Sequence, residues 1–232
     1  MPGGFSNKPK ILRGAFVEYG LSIPPLFVVF QFNPVQLTRN RTLTYRLGEE
    51  AQRAGPRKAH QNPIYKDLTK LRDDQIVTIQ EETIGFEIRL DATDKLNEGD
   101  AITEQFGISP QLSTLELMVH PKEESLLGAV LSSLLGSSSN AFSFTKSPNP
   151  PMILFIWGRK KVLPVNINSM NITETEFSTD LNPIRATVAV NLTVIEGQSL
   201  PYKYSKAMKE AMSVLNLANI ASITDVMIPG QG

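Results

Sequence analysis

The sequence predicts a mainly β fold with a few helices, built as a barrel or as two packed sheets. Residues 187–194 alternate strictly between apolar and polar side chains, as a half-buried strand does. Residues 152–157 are apolar on both faces, which is typical of a central strand. Helical periodicity is clear in only two places and does not alternate with the strands, so a doubly wound α/β fold is disfavoured. We expect about six or seven strands, one internal helix and a C-terminal helix.

Composition indicates a folded, electrically neutral protein. The 232 residues suit one domain with an appendage, and 41% of them are apolar. Lys and Arg number 23, as do Asp and Glu, so no global attraction to nucleic acid or to an anionic membrane is expected. The chain has no cysteine, which excludes disulfides, thiolate catalysis and cysteine zinc sites.

Location is predicted from two further features. The first residues, MPGGFSNKPK, lack the basic-then-apolar pattern of a signal peptide. The most apolar segment, at 125–136, is too short for a membrane-spanning helix, which needs about 20 residues. We therefore expect a soluble protein that is made in the cytosol.

The first half of the chain carries alternating strand and loop signals. After a flexible start at 1–10, strands are predicted at 11–19, 26–32 and 42–45. The strand at 26–32 is expected to be central. Residues 46–75 are polar and interrupted by proline, so we expect a long exposed excursion. Strand signal returns at 76–91, where Phe86, Ile88 and Leu90 share one face, and a polar turn region follows. A helix is predicted from Pro110, with Leu112, Leu115 and Val119 on one face.

The second half holds the most regular strand signals. Residues 125–150 are biased toward small and polar side chains and are interpreted as a loop or an arm. In 163–172 the apolar residues change phase, so a β-bulge is expected near Asn168-Ser169. Residues 203–217 predict a helix with Tyr204, Met208, Met212 and Leu215 on one stripe. The predicted organisation is a β domain over 11–196 and a helical extension over 197–232.

Catalytic and metal-binding patterns are missing from the sequence. The two histidines, His60 and His120, lie far apart and lack a metal-ligand neighbour. The crowded carboxylates Asp91, Asp94, Glu98 and Asp100 could form a catalytic pair or a calcium loop, but they do not match the calcium-loop spacing and are better interpreted as a solvated turn. No phosphate loop, dinucleotide fingerprint or nucleophile elbow is present. We expect no enzyme activity, no metal and no cofactor.

Four segments in order resemble one family. They are FQFNPVQLTRNR, GFEIRLDATD, ISPQLSTLELMVHP and the long block from PPMILFIWGRKK to LNPIRATVAVNLTV. Together, over roughly 11–196, they resemble the tube-protein domain of phage-tail-like contractile injection systems. The sequence is most similar to the baseplate tube-initiator proteins of the extracellular kind, such as those of the antifeeding prophage and the Photorhabdus virulence cassette. Each segment is weak alone, and the ordered set is specific.

This resemblance implies a fold and a structural role. It implies two packed β-sheets that close a small barrel with a helix at one side, and six copies that form a ring. The implied partners are the spike protein, the inner tube or a second tube initiator, and the baseplate wedges, in a particle assembled in the bacterial cytoplasm. Members often carry a C-terminal LysM-like module, which has no recognisable counterpart after Glu196 here. An inner tube subunit or a tail terminator is the alternative, and a barrel-type hydrolase or carbohydrate-binding module is a remote one.

Two Asn-Pro turns, Asn33-Pro34 and Asn182-Pro183, are candidate interface features. Proline has no N–H to donate, so each turn can end a strand sharply. Arg185 is expected to pair with Asp91 or Asp94, either within the chain or toward a neighbour. The candidate interface or rim residues are Phe32, Asn33, Pro34, Arg39, Arg41, Asp91, Asp94, Trp157, Asn182, Pro183 and Arg185. Replacing Asn182 and Pro183 together is expected to leave a folded monomer and to impair assembly.

Overall fold

The computed structural model of the chain describes residues 12–20, 25–47, 56–121, 149–216 and 218. In chain order, the strands are β1 (Ala15–Glu18), β2 (Phe27–Val29), β3 (Leu37–Asn40), β4 (Leu43–Leu47), β5 (Gln75–Ile79), β6 (Thr83–Asp91), β7 (Ile153–Trp157), β8 (Lys161–Phe177) and β9 (Pro183–Val194). The helices are α1 (Pro56–His60), α2 (Leu68–Asp74), α3 (Thr93–Asn97), α4 (Ala101–Phe106), α5 (Ser109–Leu117) and α6 (Leu200–Leu215), with a 3₁₀ helix at Pro63–Lys66. The expected flexible start at 1–10 and most of the biased segment at 125–150 lie outside the described residues.

Seven strands form one antiparallel sheet that curls on itself. Their order is β2-β1-β7-β8-β9-β6-β3, so β1 and β6 are four places apart. In a flat sheet that separation would be about 19 Å. The rings of Phe16 on β1 and Phe86 on β6 nevertheless have centroids 6.0 Å apart. The sheet is therefore a half-barrel with an aromatic core, and the prediction of a mainly β fold is confirmed.

The core follows the alternation that the sequence displays. Phe86, Ile88 and Leu90 of β6 are buried, and so are the four apolar residues of the alternating segment in β9, which are Val188, Val190, Leu192 and Val194. Each fully buried aliphatic or aromatic side chain contributes about 1.5–3 kcal/mol. The register of β8 against β9 shifts between Ile167 and Ser169, which confirms the expected bulge. Because the shift keeps both halves of this long strand paired with β9, the sheet continues past it.

The segment at 26–32 is an edge strand, and its prediction as a central strand was wrong. β2 pairs with β1 on one side and ends the seven-stranded sheet. Val28 and Phe30 are buried, whereas Phe27 and Val29 are exposed. A strand that is apolar on both faces can be an edge strand if one of those faces stays exposed to solvent. The sequence pattern does not distinguish such a strand from a central one.

The predicted strand at 76–91 divides into two strands in different sheets. β5 pairs with β4 in a two-stranded ribbon, and β6 enters the main sheet. Within the expected excursion at 46–75, the described part holds α1, the 3₁₀ helix and α2. Local caps explain two of these starts, since Asn62 Oδ1 accepts from the Ile64 N–H and Asp67 Oδ1 accepts from the Thr69 N–H.

The two predicted helices form, and one of them is rotated from expectation. On α5, Leu112 and Leu115 are buried as predicted, with Met118 rather than Val119 as the third buried residue. On α6, Tyr204 is exposed and Ser205 is only 1% exposed. The Ser205 hydroxyl donates to the Val162 carbonyl at 2.7 Å and accepts from the Val162 N–H at 2.8 Å. This polar contact with β8 sets the rotation of α6, and an apolar stripe could not predict it.

Candidate protein-interaction site

Asn33 holds the loop after β2 on the start of β1. Its Oδ1 accepts from the Gly14 N–H at 2.9 Å, and its Nδ2 donates to the Leu12 carbonyl at 2.8 Å. The side-chain amide thus pairs with backbone as a strand would. The Asn-Pro turn at 33–34 is therefore anchored within the chain, and Val35 beyond it is exposed.

Gln31 makes an equivalent pair of bonds to the end of β6. Its Nε2 donates to the Asp91 carbonyl at 2.7 Å, and its Oε1 accepts from the Asp91 N–H at 2.9 Å. Because β2 and β6 lie near opposite edges of the sheet, this amide closes one end of the half-barrel. Sequence reasoning missed Gln31, and its separation from Asp91 by 60 residues leaves no local signal for the contact.

Between these anchors, the edge of β6 is only partly paired. β3 pairs with β6 from Asn40–Thr83 to Leu37–Phe86 and then ends. In an antiparallel sheet, each residue directs its N–H and C=O to one side, and the side alternates along the strand. Asp91 directs both groups to Gln31, so Glu87 and Arg89 direct theirs to the same side. No described strand lies there, and these two residues form the open edge of β6.

A trough of about 1080 Å³ lies beside this open edge. It is bounded by the 32–36 loop, by β6 and by β9, and it is lined by the backbone of Gly85 and the small side chains of Thr187 and Ala189. Of the predicted interface residues, the trough brings together Phe32, Asn33, Pro34, Asp91 and Arg185. An unpaired strand edge next to a concave surface of small side chains can receive an extended segment of another chain.

An ion-pair cluster closes one end of the trough. Arg185 Nε lies 2.8 Å from Asp91 Oδ2, and Arg185 Nη1 lies 2.6 Å from Glu176 Oε1. Partial burial raises the pKa of Asp91, but the Thr93 hydroxyl and N–H and the Arg185 guanidinium outweigh it and lower the pKa overall. The predicted pair of Arg185 with Asp91 is confirmed as an intrachain contact, and Asp94 is exposed on α3 outside it.

The second Asn-Pro turn joins β9 to the helices. Asn182 Nδ2 donates to the Gln105 carbonyl at 2.8 Å, and the Pro183 carbonyl accepts from the Ile108 N–H at 2.9 Å. Gly107 has a φ of +56°, and a Cβ there would lie 2.2 Å from the Pro183 oxygen. Asn182 and buried Pro183 therefore support the fold of the monomer. We now expect their joint replacement to destabilise the chain rather than to impair assembly alone.

Arg39 and Arg41 belong to an ion network rather than to an open surface. Both contact Glu82, which is 3% exposed, and Lys209 of α6 lies 3.2 Å from the same carboxylate. Arg41 also pairs with Glu196. Burial raises the pKa of Glu82, but hydrogen bonds from Arg39 and Lys209 more than compensate and hold it at about 2. The network ties α6 to β3 and to the start of β6.

Trp157 lies at a second, smaller cavity. This cavity of about 440 Å³ is lined by Asn33, Trp157 and the basic turn at 159–161. The indole stacks on Phe155 with centroids 6.0 Å apart. Gly14 is needed beneath it, because a Cβ there would lie 2.9 Å from the Trp157 ring and 2.6 Å from Phe30. Trp157 therefore packs at the rim of the core.

Two of the crowded carboxylates, Asp91 and Asp100, accept hydrogen bonds from nearby backbone. Asp91 Oδ1 accepts from the Thr93 N–H, and Asp100 Oδ1 accepts from the Thr103 N–H at the start of α4. The polar turn expected here is thus two short, partly capped helices, α3 and α4. In the part of the chain that the structure describes, no three acidic or histidine side chains converge as metal ligands.

Comparison with known proteins does not identify a family for this chain. Among the helices of the described residues, none has the length and hydrophobicity to span a bilayer. No known protein family matches the sequence, and no curated protein is significantly similar to it.

Proposed function

We propose that the protein is a structural baseplate subunit of a phage-tail-like contractile injection system. In this proposal, its copies form a ring that joins the spike to the inner tube and starts tube assembly. The observation that carries it is the open edge of β6 beside the trough, because such an edge is a template for pairing with another chain. The choice of family rests on the resemblance of the four ordered sequence segments. We also propose that the half-barrel is of the tail-tube type.

In the proposed ring, an extended segment of the neighbouring copy pairs with the open edge of β6. Each copy would then cover the unpaired backbone of the next, and ring closure would leave no β6 edge uncovered. The β4–β5 ribbon supports the same reading. Its face formed by Leu43, Tyr45, Val77 and Ile79 is exposed, and a ribbon of two strands is marginally stable without a covering partner.

The other expected partners belong to the same proposal. The ring would contact the spike, a tube or second tube-initiator protein, and the baseplate wedges, and it would assemble in the bacterial cytoplasm. α6 would take the place of the LysM-like module, since the ion network around Glu82 fixes it to the domain. An inner tube subunit or a tail terminator is the alternative, and it predicts stacked tubes or capped tube ends instead of single rings.

Electron microscopy of a matched pair of variants tests the proposal. Arg89→Pro removes one N–H from the open edge, whereas Arg89→Ala removes only the side chain. Proline is tolerated on an exposed edge, so both variants are expected to fold, which circular dichroism would verify. Negative stain should reveal rings for the wild type and for Arg89→Ala, and none for Arg89→Pro. Rings of equal number from folded Arg89→Pro would refute the role of this edge.

A further inference from the structure

One end of the half-barrel exposes apolar side chains on a fixed framework. This end, here called the acidic end, comprises residues 93–107 and 176–183, which the bonds of Asn182 and Pro183 to α4 and to Ile108 hold together. Leu181 is 79% exposed and Ile102 is 63% exposed. Phe106 and Phe177 are also exposed. Because Asn182, next to Leu181, contacts Gln105, next to Phe106, these exposed residues lie at the same end of the fold, and exposed apolar groups of this kind are typical of protein-interaction sites.

The backbone of the β8–β9 turn holds Leu181 in a costly conformation. Leu181 has a φ of +61°, and Glu176 a φ of +58°. For a residue other than glycine this region costs roughly 1–2 kcal/mol, and asparagine or glycine would adopt it more readily. The turn is fixed by Ser178, whose N–H donates to the Asn182 carbonyl and whose hydroxyl accepts from the Asn182 N–H. Folding alone does not require leucine here, which indicates a use for its side chain.

Charge defines the kind of surface that fits the acidic end. The two segments carry six exposed carboxylates and a single lysine, Lys95. The carboxylates are Asp94, Glu98, Asp100, Glu104, Asp180 and Glu176, the last of which pairs with Arg185 of β9. A partner must therefore offer apolar side chains at its centre and arginine or lysine around them.

We propose that the acidic end is a docking site for a different protein chain that presents an apolar surface ringed by Lys and Arg. Leu181 and Phe177 are the central contacts, and the carboxylates select the charge of the partner. The proposal does not depend on the ring, because its central contacts, Leu181 and Phe177, do not line the trough beside the open edge of β6.

Two amphipathic helical peptides with identical leucine faces test this, one with lysine and one with glutamate at the remaining positions. Binding to the full chain is measured by fluorescence anisotropy. The lysine peptide should bind, more weakly at high salt, and the glutamate peptide should not. Leu181→Asn, which suits a positive φ, should weaken binding at least about tenfold, as loss of a central contact does. Leu200→Asn is the control, since Leu200 is equally exposed on α6 and should have no effect.

Three results would overturn the proposal. Equal binding of both peptides would remove the charge selectivity, and unchanged binding by Leu181→Asn would remove the apolar contact. Sedimentation velocity supplies the third readout. If the wild type self-associates and Leu181→Asn abolishes that association, the occupant is a second copy of this chain and not a different protein.

Discussion

Glu82 offers the sharpest test of how α6 and the sheet are held together. Its carboxylate is buried and forms ion pairs with Arg39, Arg41 and Lys209. A pKa lowered from 4.5 to about 2 corresponds to about 3 kcal/mol of stability, at about 1.4 kcal/mol per pH unit. Glu82→Gln keeps the shape and removes the charge, so we expect its free energy of unfolding at pH 7 to be lower by about 3 kcal/mol. Urea unfolding followed by circular dichroism measures this difference.

The pH dependence of that difference in stability tests the direction of the pKa shift of Glu82. Since folding lowers the pKa of Glu82, its contribution is complete above 4.5 and is lost as the pH falls toward 2. The difference between wild type and Glu82→Gln should shrink to about 1.4 kcal/mol at pH 3. Glu81→Gln, at the exposed neighbouring position, should change stability by less than about 0.5 kcal/mol. Equal stabilities of wild type and Glu82→Gln at pH 7, or a difference that does not change with pH, would refute the reasoning.

Three further substitutions test other parts of the account. Gly107→Ala should lower the free energy of unfolding by about 2 kcal/mol or more, because its Cβ would overlap the Pro183 carbonyl at a positive φ; an unchanged melting temperature would contradict this. Ser205→Ala should cost about 1–3 kcal/mol by leaving the Val162 backbone groups unpaired. Faster hydrogen exchange confined to α6 and the start of β8 would support that, and unchanged exchange would count against it. Leu181→Asn should leave stability unchanged or raise it by up to about 1 kcal/mol, and a clear loss in thermal unfolding would show that Leu181 serves the fold.

Periodic patterns predicted the core because buried and exposed side chains alternate along a strand, which a few neighbouring residues reveal. The alternation in β6 and β9 and the phase change near Asn168 each need only a few neighbouring residues to be recognised. The position of a strand within the sheet is not local. β2 is apolar on both faces, and only the pairing of distant strands decides that it lies at the edge.

Five of the predicted interface residues line the trough, but most of their contacts were not predicted. Asn33 and Asn182 were recognised as turn residues, but the structure uses their amides as hydrogen-bonding partners for distant backbone. Arg185 and Asp91 could be paired from sequence because they carry opposite charges near the ends of predicted strands. The amide of Gln31, which closes the half-barrel, had no charge and no motif to reveal it.

The mass of the purified chain in solution tests the central claim most directly. Sedimentation velocity over a range of concentrations should find, besides the 25.6 kDa monomer, a closed species of one fixed multiple of that mass, and Arg89→Pro should remain monomeric. A wild type that stays monomeric at every concentration, or that grows without a fixed size, would contradict a ring closed through the open edge of β6.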